Sequence, residues 1–301
     1  MSITHPTIAP PICRDVPILS LERRSSFKNS HDDTSDSDLF TLTFRNPEWE
    51  SWHPGQFVMI RPQSVTRPDI IWARPFSISQ ATAEEVTVVF QTAGRGTRDM
   101  LGLQRGELVT VWGPLGNAFA VSQSGPTLLL AGGIGIAPFV GYIGRHPKPE
   151  NLRLEFGHRL PLECYPYADC TTPECLLSNS PSEVGFSARN HHECSPADLA
   201  RFIKTLENSI RDTAAQNGLV LACGPMPFLH SVQKFALQYT VRAQLSLETR
   251  MACGVGACLG CVVKKTEPKS RAVEPPDAFE YVQTCTKGPV FWADEIDLER
   301  G

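Results

Sequence analysis

The stretch "TLLLAGGIGIAPFVGYIG", residues 127–144, is the most apolar long run in the chain, and its reading decides the fold. Its length almost suits a membrane span. Five glycines and Pro138 sit inside it, however. A buried strand, a Gly-rich turn and a helix start account for it better, and no membrane span is expected. The turn "AGGIGIAP" (131–138) places Gly133, Gly135 and Pro138 in a Gly-x-Gly-x-x-Pro pattern. Such glycines let a ligand approach the backbone at the start of the following helix. The dinucleotide pattern G-x-G-x-x-G differs, because its third glycine packs helix on strand. Tight turns after buried strands need glycine in any case, so the turn alone names no ligand.

Downstream the same organisation repeats. "NLRLEFGHR" reads as a second strand and "LVLACGP" as a third. Between them lies the helix "SPADLARFIKTLENSIRDTAAQNG". Ser195 serves as N-cap, Pro196 takes the first turn and Asp198 completes a capping box. Leu199, Phe202, Ile203, Leu206 and Ile210 fall on one face, and Gly218 follows the end. Strand, helix, strand means a parallel sheet with helices on its faces. "ACGPMPF" (222–228) ends another strand with Cys223 and Gly224, giving a second Gly-containing turn at the carboxyl ends of the sheet, the usual ligand crevice.

Upstream the pattern is different. "LFTLTF" (39–44) alternates Phe40, Leu42 and Phe44 with Thr41 and Thr43, as a half-buried strand does. "GQFVMI", "ARPFSIS", "EVTVVFQT" and "ELVTVWGP" are further short strands divided by Pro and Gly. Evenly spaced short strands predict a small antiparallel barrel. The acidic "SHDDTSDSD" (30–38) reads as a hairpin loop. The expected organisation is α+β and multidomain: an antiparallel β-barrel over 1–122, an α/β parallel-sheet domain over 123–245 and a small cysteine-rich domain over 246–301.

Composition narrows the function. The 301 residues carry a net charge of −4, without the basic surplus of a nucleic-acid protein. Ten cysteines are present, and the start "MSITHPTIAPPICRD" lacks a secretory pattern. The thiols are therefore expected to be reduced, in the cytoplasm, with some binding metal. Residues 160–194 hold Cys164, Cys170, Cys175 and Cys194 with His191 and His192, either a second metal site or an irregular insertion with incidental thiols.

"MACGVGACLGC" (251–261) is more specific. Cys253, Cys258 and Cys261 have the spacing C-x4-C-x2-C, with Cys285 in "VQTCTKGPV" as fourth candidate. This is the plant-type spacing for a [2Fe–2S] cluster. A loop wrapped over a cluster must approach it closely and adopt positive φ, which Gly254, Gly256 and Gly260 permit. A four-cysteine zinc site is the main rival, though zinc loops usually pair their ligands as CxxC.

Two barrel segments suggest an electron donor or acceptor for such a cluster. "ARPFSIS" (73–79) offers Arg74 for a pyrophosphate and the Ser77 hydroxyl for a flavin ring. In "AGRGTRDML" (93–101), glycines lead to Thr97, read as the N-cap of a short helix suited to diphosphate. A simple hairpin with Gly at its tip is the plainer alternative.

"RPFSI", "GRGT", "GPLGNAF", "AGGIGIAP", "CGPMPFL" and "SLETRMACGVGACLGC" occur in one order. Over about residues 55–292 the chain resembles the electron-transfer subunits of NAD-dependent dihydroorotate dehydrogenase, within the ferredoxin reductase superfamily. The resemblance implies FAD in the barrel, NAD(H) on the α/β domain and one [2Fe–2S] cluster in the tail. It implies that Arg74, Pro75, Phe76 and Ser77 line the flavin and its pyrophosphate. Val89, Phe90 and Gln91 would form a second flavin-contacting strand, and Gly96 and Thr97 would hold the diphosphate. Gly133, Gly135, Pro138, Cys223 and Gly224 would serve the nucleotide. Cys223 would either face the nicotinamide or be a buried strand-end thiol. Cys253, Cys258, Cys261 and Cys285 would ligate the cluster.

The implied activity is electron transfer from a separate FMN-containing catalytic subunit to NAD⁺ in pyrimidine biosynthesis, in a heterotetramer of two of each chain. This chain shows no repeated β/α pattern for an FMN barrel of its own. A reductase subunit of a hydrogenase or transhydrogenase complex, a stand-alone NADH-dependent reductase, and a zinc-holding binding module are the alternatives. The stretch before residue 12, the acidic loop and the 160–194 segment look like departures from the family pattern. The last of these stands where an edge strand of the nucleotide domain belongs.

Overall fold

A two-residue strand, β1 (Ile3–Thr4), leads into six strands that close as an antiparallel barrel. They are β2 (Ile12–Arg23), β3 (Leu39–Arg45), β4 (Phe57–Pro62), β5 (Arg74–Ala81), β6 (Glu85–Gln91) and β7 (Leu108–Leu115), in the order β2-β3-β6-β5-β4-β7. The structure is a computed structural model and describes residues 3–24, 38–63, 72–171, 186–266 and 280–298. The acidic loop, apart from Asp38, and Cys175 lie outside the described residues. A one-turn helix, α1 (Arg95–Asp99), joins β6 to β7. Phe40, Leu42 and Phe44 of β3 all point into the barrel core with Val16, Ile18, Ile78, Val86 and Val88, as their alternation predicts.

Five barrel strands match the short strand segments read from the sequence. The sixth, β2, does not, because Arg14, Asp15 and Pro17 interrupt its pattern. It closes the barrel by changing partners: Ile12–Pro17 pair with β7, and Ile18–Arg23 pair with β3. Pro17 stands at the changeover, next to a register shift. A residue lacking an N–H is tolerated at such an irregularity.

Beyond β8 (Val121–Ser122), which pairs with β1, the chain enters a parallel sheet. Its strands are β9 (Thr127–Gly132), β10 (Leu152–His158), β11 (Ser187–His192), β12 (Leu219–Cys223) and β13 (Arg242–Ser246), in spatial order β11-β10-β9-β12-β13. Successive residues of β9 and β12 serve opposite faces. Leu129, Ala131, Leu219 and Leu221 pack with α2 (Ala137–Arg145), near α3 (Tyr167–Thr171). Leu128, Leu130, Val220 and Ala222 pack with α4 (Pro196–Ala215) and α5 (Met226–Gln238). A sheet covered on both faces needs continuous apolar strands, which is why "TLLLAG" shows no alternation.

Ser195 caps α4 by accepting from the Asp198 N–H at 3.2 Å, a contact worth about 1 kcal/mol. Phe202, Leu206 and Ile210 are buried, but Leu199 is 38% exposed, so the predicted apolar face is not wholly covered by the sheet. The tail then forms a hairpin of β14 (Val262–Lys264) and β15 (Tyr281–Gln283), one turn of helix, α6 (Thr284–Lys287), and β16 (Val290–Trp292). β16 adds to β13 antiparallel, so the cysteine-rich tail completes the nucleotide sheet.

The 160–194 segment is not merely an irregular insertion. It supplies the edge strand β11, parallel to β10. "SARNHH" has no apolar alternation, so the sequence hid it. The strand is held through Glu155, whose carboxylate is fully buried and bonds Arg189, His191 at 2.8 Å and the Ser209 hydroxyl at 3.2 Å. Burial would raise the Glu155 carboxyl, but the hydrogen bonds from His191 and Arg189 outweigh it and hold it below its ordinary value. Cys164 and Cys170 are buried among Tyr165 and Phe156. Cys194 is exposed, 3.2 Å from His192 Nδ1. Among the described residues no group of three His, Cys, Asp or Glu side chains converges on one metal-ion position, in this segment or elsewhere.

Barrel and sheet domain meet through apolar contacts. Phe119 stacks on Phe139, Tyr142 donates to the Ala120 carbonyl, and Gly141 admits the Trp52 ring where a β-carbon would fall 2.4 Å from it. This contact sets the two halves of the site against each other.

Candidate functional site

Barrel, sheet and tail line an open cavity of about 1530 Å³. Single-ligand pockets run to about 300–1,000 Å³, so this one has room for more than one ligand. Arg74, Pro75, Phe76 and Ser77 of β5 line it, as do Val89, Phe90 and Gln91 of β6 and Gly96 and Thr97 of α1. Gly133, Gly135, Cys223 and Gly224 line it from the sheet. Pro138 does not: it is buried in the first turn of α2 and shapes the helix start.

At the barrel wall, the Arg74 guanidinium lies directly over Gly96, where a β-carbon would come within 2.4–2.6 Å of it. Arg74 Nη1 also donates to the Trp72 carbonyl at 2.7 Å. Thr97 is not the N-cap of α1. Gly94 takes that place, and the Thr97 hydroxyl reaches back to accept from the Ala93 and Gly94 N–H groups at 3.0 and 3.3 Å. The rings of Phe76 and Phe90 turn into the barrel core with centroids 5.5 Å apart, so these two residues support the wall from behind.

At the carboxyl ends of the sheet, Gly133 has φ +55° and open space where a β-carbon would stand. Gly135 does the opposite. A β-carbon there would fall 2.2 Å from the Cys223 carbonyl, so this glycine lets the two turns touch. The Cys223 thiol is pushed up to about 12 by burial, then by the nearby Glu248 charge, with Ser246 opposing through a hydrogen bond. It is a protonated wall residue. Burial also raises the Glu248 carboxyl. Glu248, Thr249, Arg250 and Met251 line the cavity and were not singled out from sequence as site residues, although they lie in the family stretch "SLETRMACG". Thr249 Oγ1 is buried without a hydrogen-bond partner, as a group awaiting a polar ligand atom would be.

Met251 and Ala252 lead straight into the cysteine loop. Gly254 (φ +70°) lies against the barrel, where a β-carbon would meet Met59 at 2.6 Å. The Trp112 indole donates to the Cys253 carbonyl at 3.1 Å, pinning the loop to the barrel. The thiols form two pairs. Cys253 and Cys258 stand at the surface with sulfurs 3.4 Å apart. Cys261 and Cys285 are buried together beside Phe57, Met59 and Leu115. Burial disfavours the Cys253 thiolate, but N–H groups of Val255, Cys258 and Ala257 aimed at the sulfur bring it down to about 7. Burial and Cys261 push Cys285 up to about 12. Two thiol pairs with backbone donors suit the two irons of a [2Fe–2S] cluster, and the Arg74–Gly96–Thr97 corner suits a flavin diphosphate.

A flavin-type barrel, a parallel nucleotide sheet and a four-thiol loop around one cavity define an iron–sulfur flavoprotein reductase of ferredoxin reductase fold. The solved NADH-dependent reduced ferredoxin-NADP oxidoreductase shares that fold, with a TM-score of 0.67 at 20% identity over 94% of this chain and 90% of that one. Residues 248–297 match the iron–sulfur cluster binding domain of dihydroorotate dehydrogenase B. The chain is 32% identical to the dihydroorotate dehydrogenase B (NAD(+)) electron transfer subunit of Caldanaerobacter subterraneus subsp. tengcongensis, covering 86% of this chain and 93% of the relative. It is 31% identical to the corresponding subunit of Bacillus velezensis over 81% and 87%. The chain belongs to the family of dihydroorotate dehydrogenase B electron transfer subunits. No helix among the described residues is long and apolar enough to cross a membrane.

Proposed function

We propose that this chain carries electrons from dihydroorotate, oxidised on an FMN-containing partner subunit, to NAD⁺, in a cytoplasmic heterotetramer of two of each chain. When bound, the cluster supplies one-electron chemistry, and FAD supplies both one- and two-electron chemistry. Cys253, Cys258, Cys261 and Cys285 hold the cluster. Arg74 neutralises the flavin diphosphate, helped by the N–H groups around Gly96 and by Thr97. Pro75, Ser77, Val89 and Gln91 wall the ring, with Phe76 and Phe90 behind them. Gly133 lets the nicotinamide dinucleotide approach the sheet, and Gly224 lets its turn pack against Gly132 and Phe228 at the cavity wall. Cys223, protonated, excludes water beside the nicotinamide, and Gly135 and Pro138 shape the turn.

The carrying observation is the continuity of the cavity. It runs from Met251 and Ala252, next to Cys253, past Arg74–Ser77 to Cys223 and Gly224. The test uses the purified holo-chain with and without its FMN partner. Alone it reduces a dye with NADH and leaves dihydroorotate untouched; with the partner, NAD⁺-dependent dihydroorotate oxidation appears. Oxidation of dihydroorotate by the isolated chain would overturn the assignment.

A further inference from the structure

A second cavity, of about 200 Å³, shares no lining residue with the large one. Distant parts of the chain meet there: His5 and Ile8 of the N-terminal segment, Gln244 of β13, and Lys287, Trp292 and Glu295 of the tail. Strand β1 holds the N-terminal segment in place by pairing with β8, and the His5 ring then stands edge-on to Trp292, with centroids 5.9 Å apart. This wall belongs to the stretch before residue 12, outside the family resemblance.

Gln244 is the buried polar group of the cavity, only 3% exposed. Its Oε1 accepts from the Ala120 N–H at 2.8 Å, which fixes the orientation of the amide. Its NH2 group is left without a partner among the described residues. A buried amide donor at a cavity calls for an acceptor from a ligand. Asn117, the other amide here, is spent. Its Nδ2 donates to the Lys287 and Val290 carbonyls at 3.1 and 2.6 Å, and its Oδ1 accepts from the Val290 N–H at 3.0 Å. The Lys287 ammonium and the Glu295 carboxylate line the same cavity, and among the described residues neither is closed by an ion pair.

We infer that this cavity binds a small free α-amino acid with an apolar side chain. The ligand carboxylate takes the Gln244 NH2 group and the Lys287 ammonium, the ligand ammonium takes the Glu295 carboxylate, and the side chain lies against Ile8, Val290 and Trp292. Opposite charges on one small cavity match a zwitterion and leave a plain anion or cation facing a like charge. The volume is that of about seven waters at about 30 Å³ each, which suits a molecule of this size and is too small for a nucleotide. Occupied, the cavity ties the N-terminal segment to β13 and to α6, the helix that carries Cys285 and Lys287. Binding therefore stabilises the folded chain.

The test titrates L-valine into the flavin- and iron-loaded chain by calorimetry. L-valinamide, which lacks the carboxylate, and N-acetyl-L-valine, which lacks the ammonium, are the companion probes. L-valine should bind one-to-one and raise the melting temperature, and each companion should bind about 10-fold more weakly or worse. Gln244→Glu keeps an oxygen for Ala120 and replaces the donor by an acceptor, so it should weaken L-valine binding by about 10-fold or more. Lys287→Gln alters an exposed side chain, should weaken binding by a similar factor, and serves if the first variant folds poorly. A wild type that does not bind L-valine, companions that bind as well as L-valine, or an affinity unmoved in Lys287→Gln overturns the inference.

Discussion

The Arg74 guanidinium occupies the space that a side chain on Gly96 would take, with Nε 2.4 Å from the position of a β-carbon there. A strand residue and a helix residue thus share one volume at the diphosphate corner. Gly96→Ala must displace Arg74, and Arg74→Ala removes the cation. Both variants should lose FAD on dialysis while keeping iron, with Arg74→Ala weakening flavin affinity by about 10-fold or more, as for a lost charge-assisted bond. Flavin-to-protein ratios after exhaustive dialysis measure this, and unchanged ratios would remove Arg74 from the site.

Cys285 is buried against Cys261 under the barrel, far from Cys253 in sequence. Cys285→Ser should lower iron and the visible cluster absorption to well below half of wild type while FAD stays bound, because the flavin corner is built from β5 and α1. Cys13→Ser, at an exposed barrel thiol, is the control and should change neither. A normal reduced-cluster EPR signal in Cys285→Ser would exclude it as the fourth ligand.

Glu155 holds the edge strand through Arg189, His191 and Ser209. Its folded carboxyl lies below the ordinary value of 4.5. Its contribution is therefore complete above pH 4.5 and is lost as pH falls through the lowered folded value. Glu155→Gln should cost about 1–3 kcal/mol near neutral pH and flatten this part of the acid dependence. Melting temperatures of both proteins between pH 7 and pH 3.5 test it; curves that stay parallel across that range would deny Glu155 the role.

Much of the molecule was legible before folding because its signals are local. Alternation marked β3, glycines and Pro138 turned an apolar run into a strand, turn and helix, and C-x4-C-x2-C named a cluster loop. What escaped was non-local. β2 hides behind Pro17 because its partners lie on both sides of the barrel. β11 hides because a polar strand is stabilised by Glu155 from its neighbour. Thr97 reads as a cap in the sequence because only the fold shows that the helix already begins at Gly94 and that the Thr97 hydroxyl points backwards.

By itself, the sequence determined the ordered chemistry of this protein: a barrel with an arginine beside a Gly-rich turn, a parallel sheet with two Gly turns, and four thiols at a diagnostic spacing. Those depend on short-range sterics, hydrophobic period and ligand spacing, all written within a few residues. Only the tertiary structure decided that the three parts open on one cavity, that the tail returns to complete the sheet through β16, and that Gln244 and Lys287 line a second, smaller cavity. Such relations arise when burial brings distant segments together, and no window of sequence contains both partners.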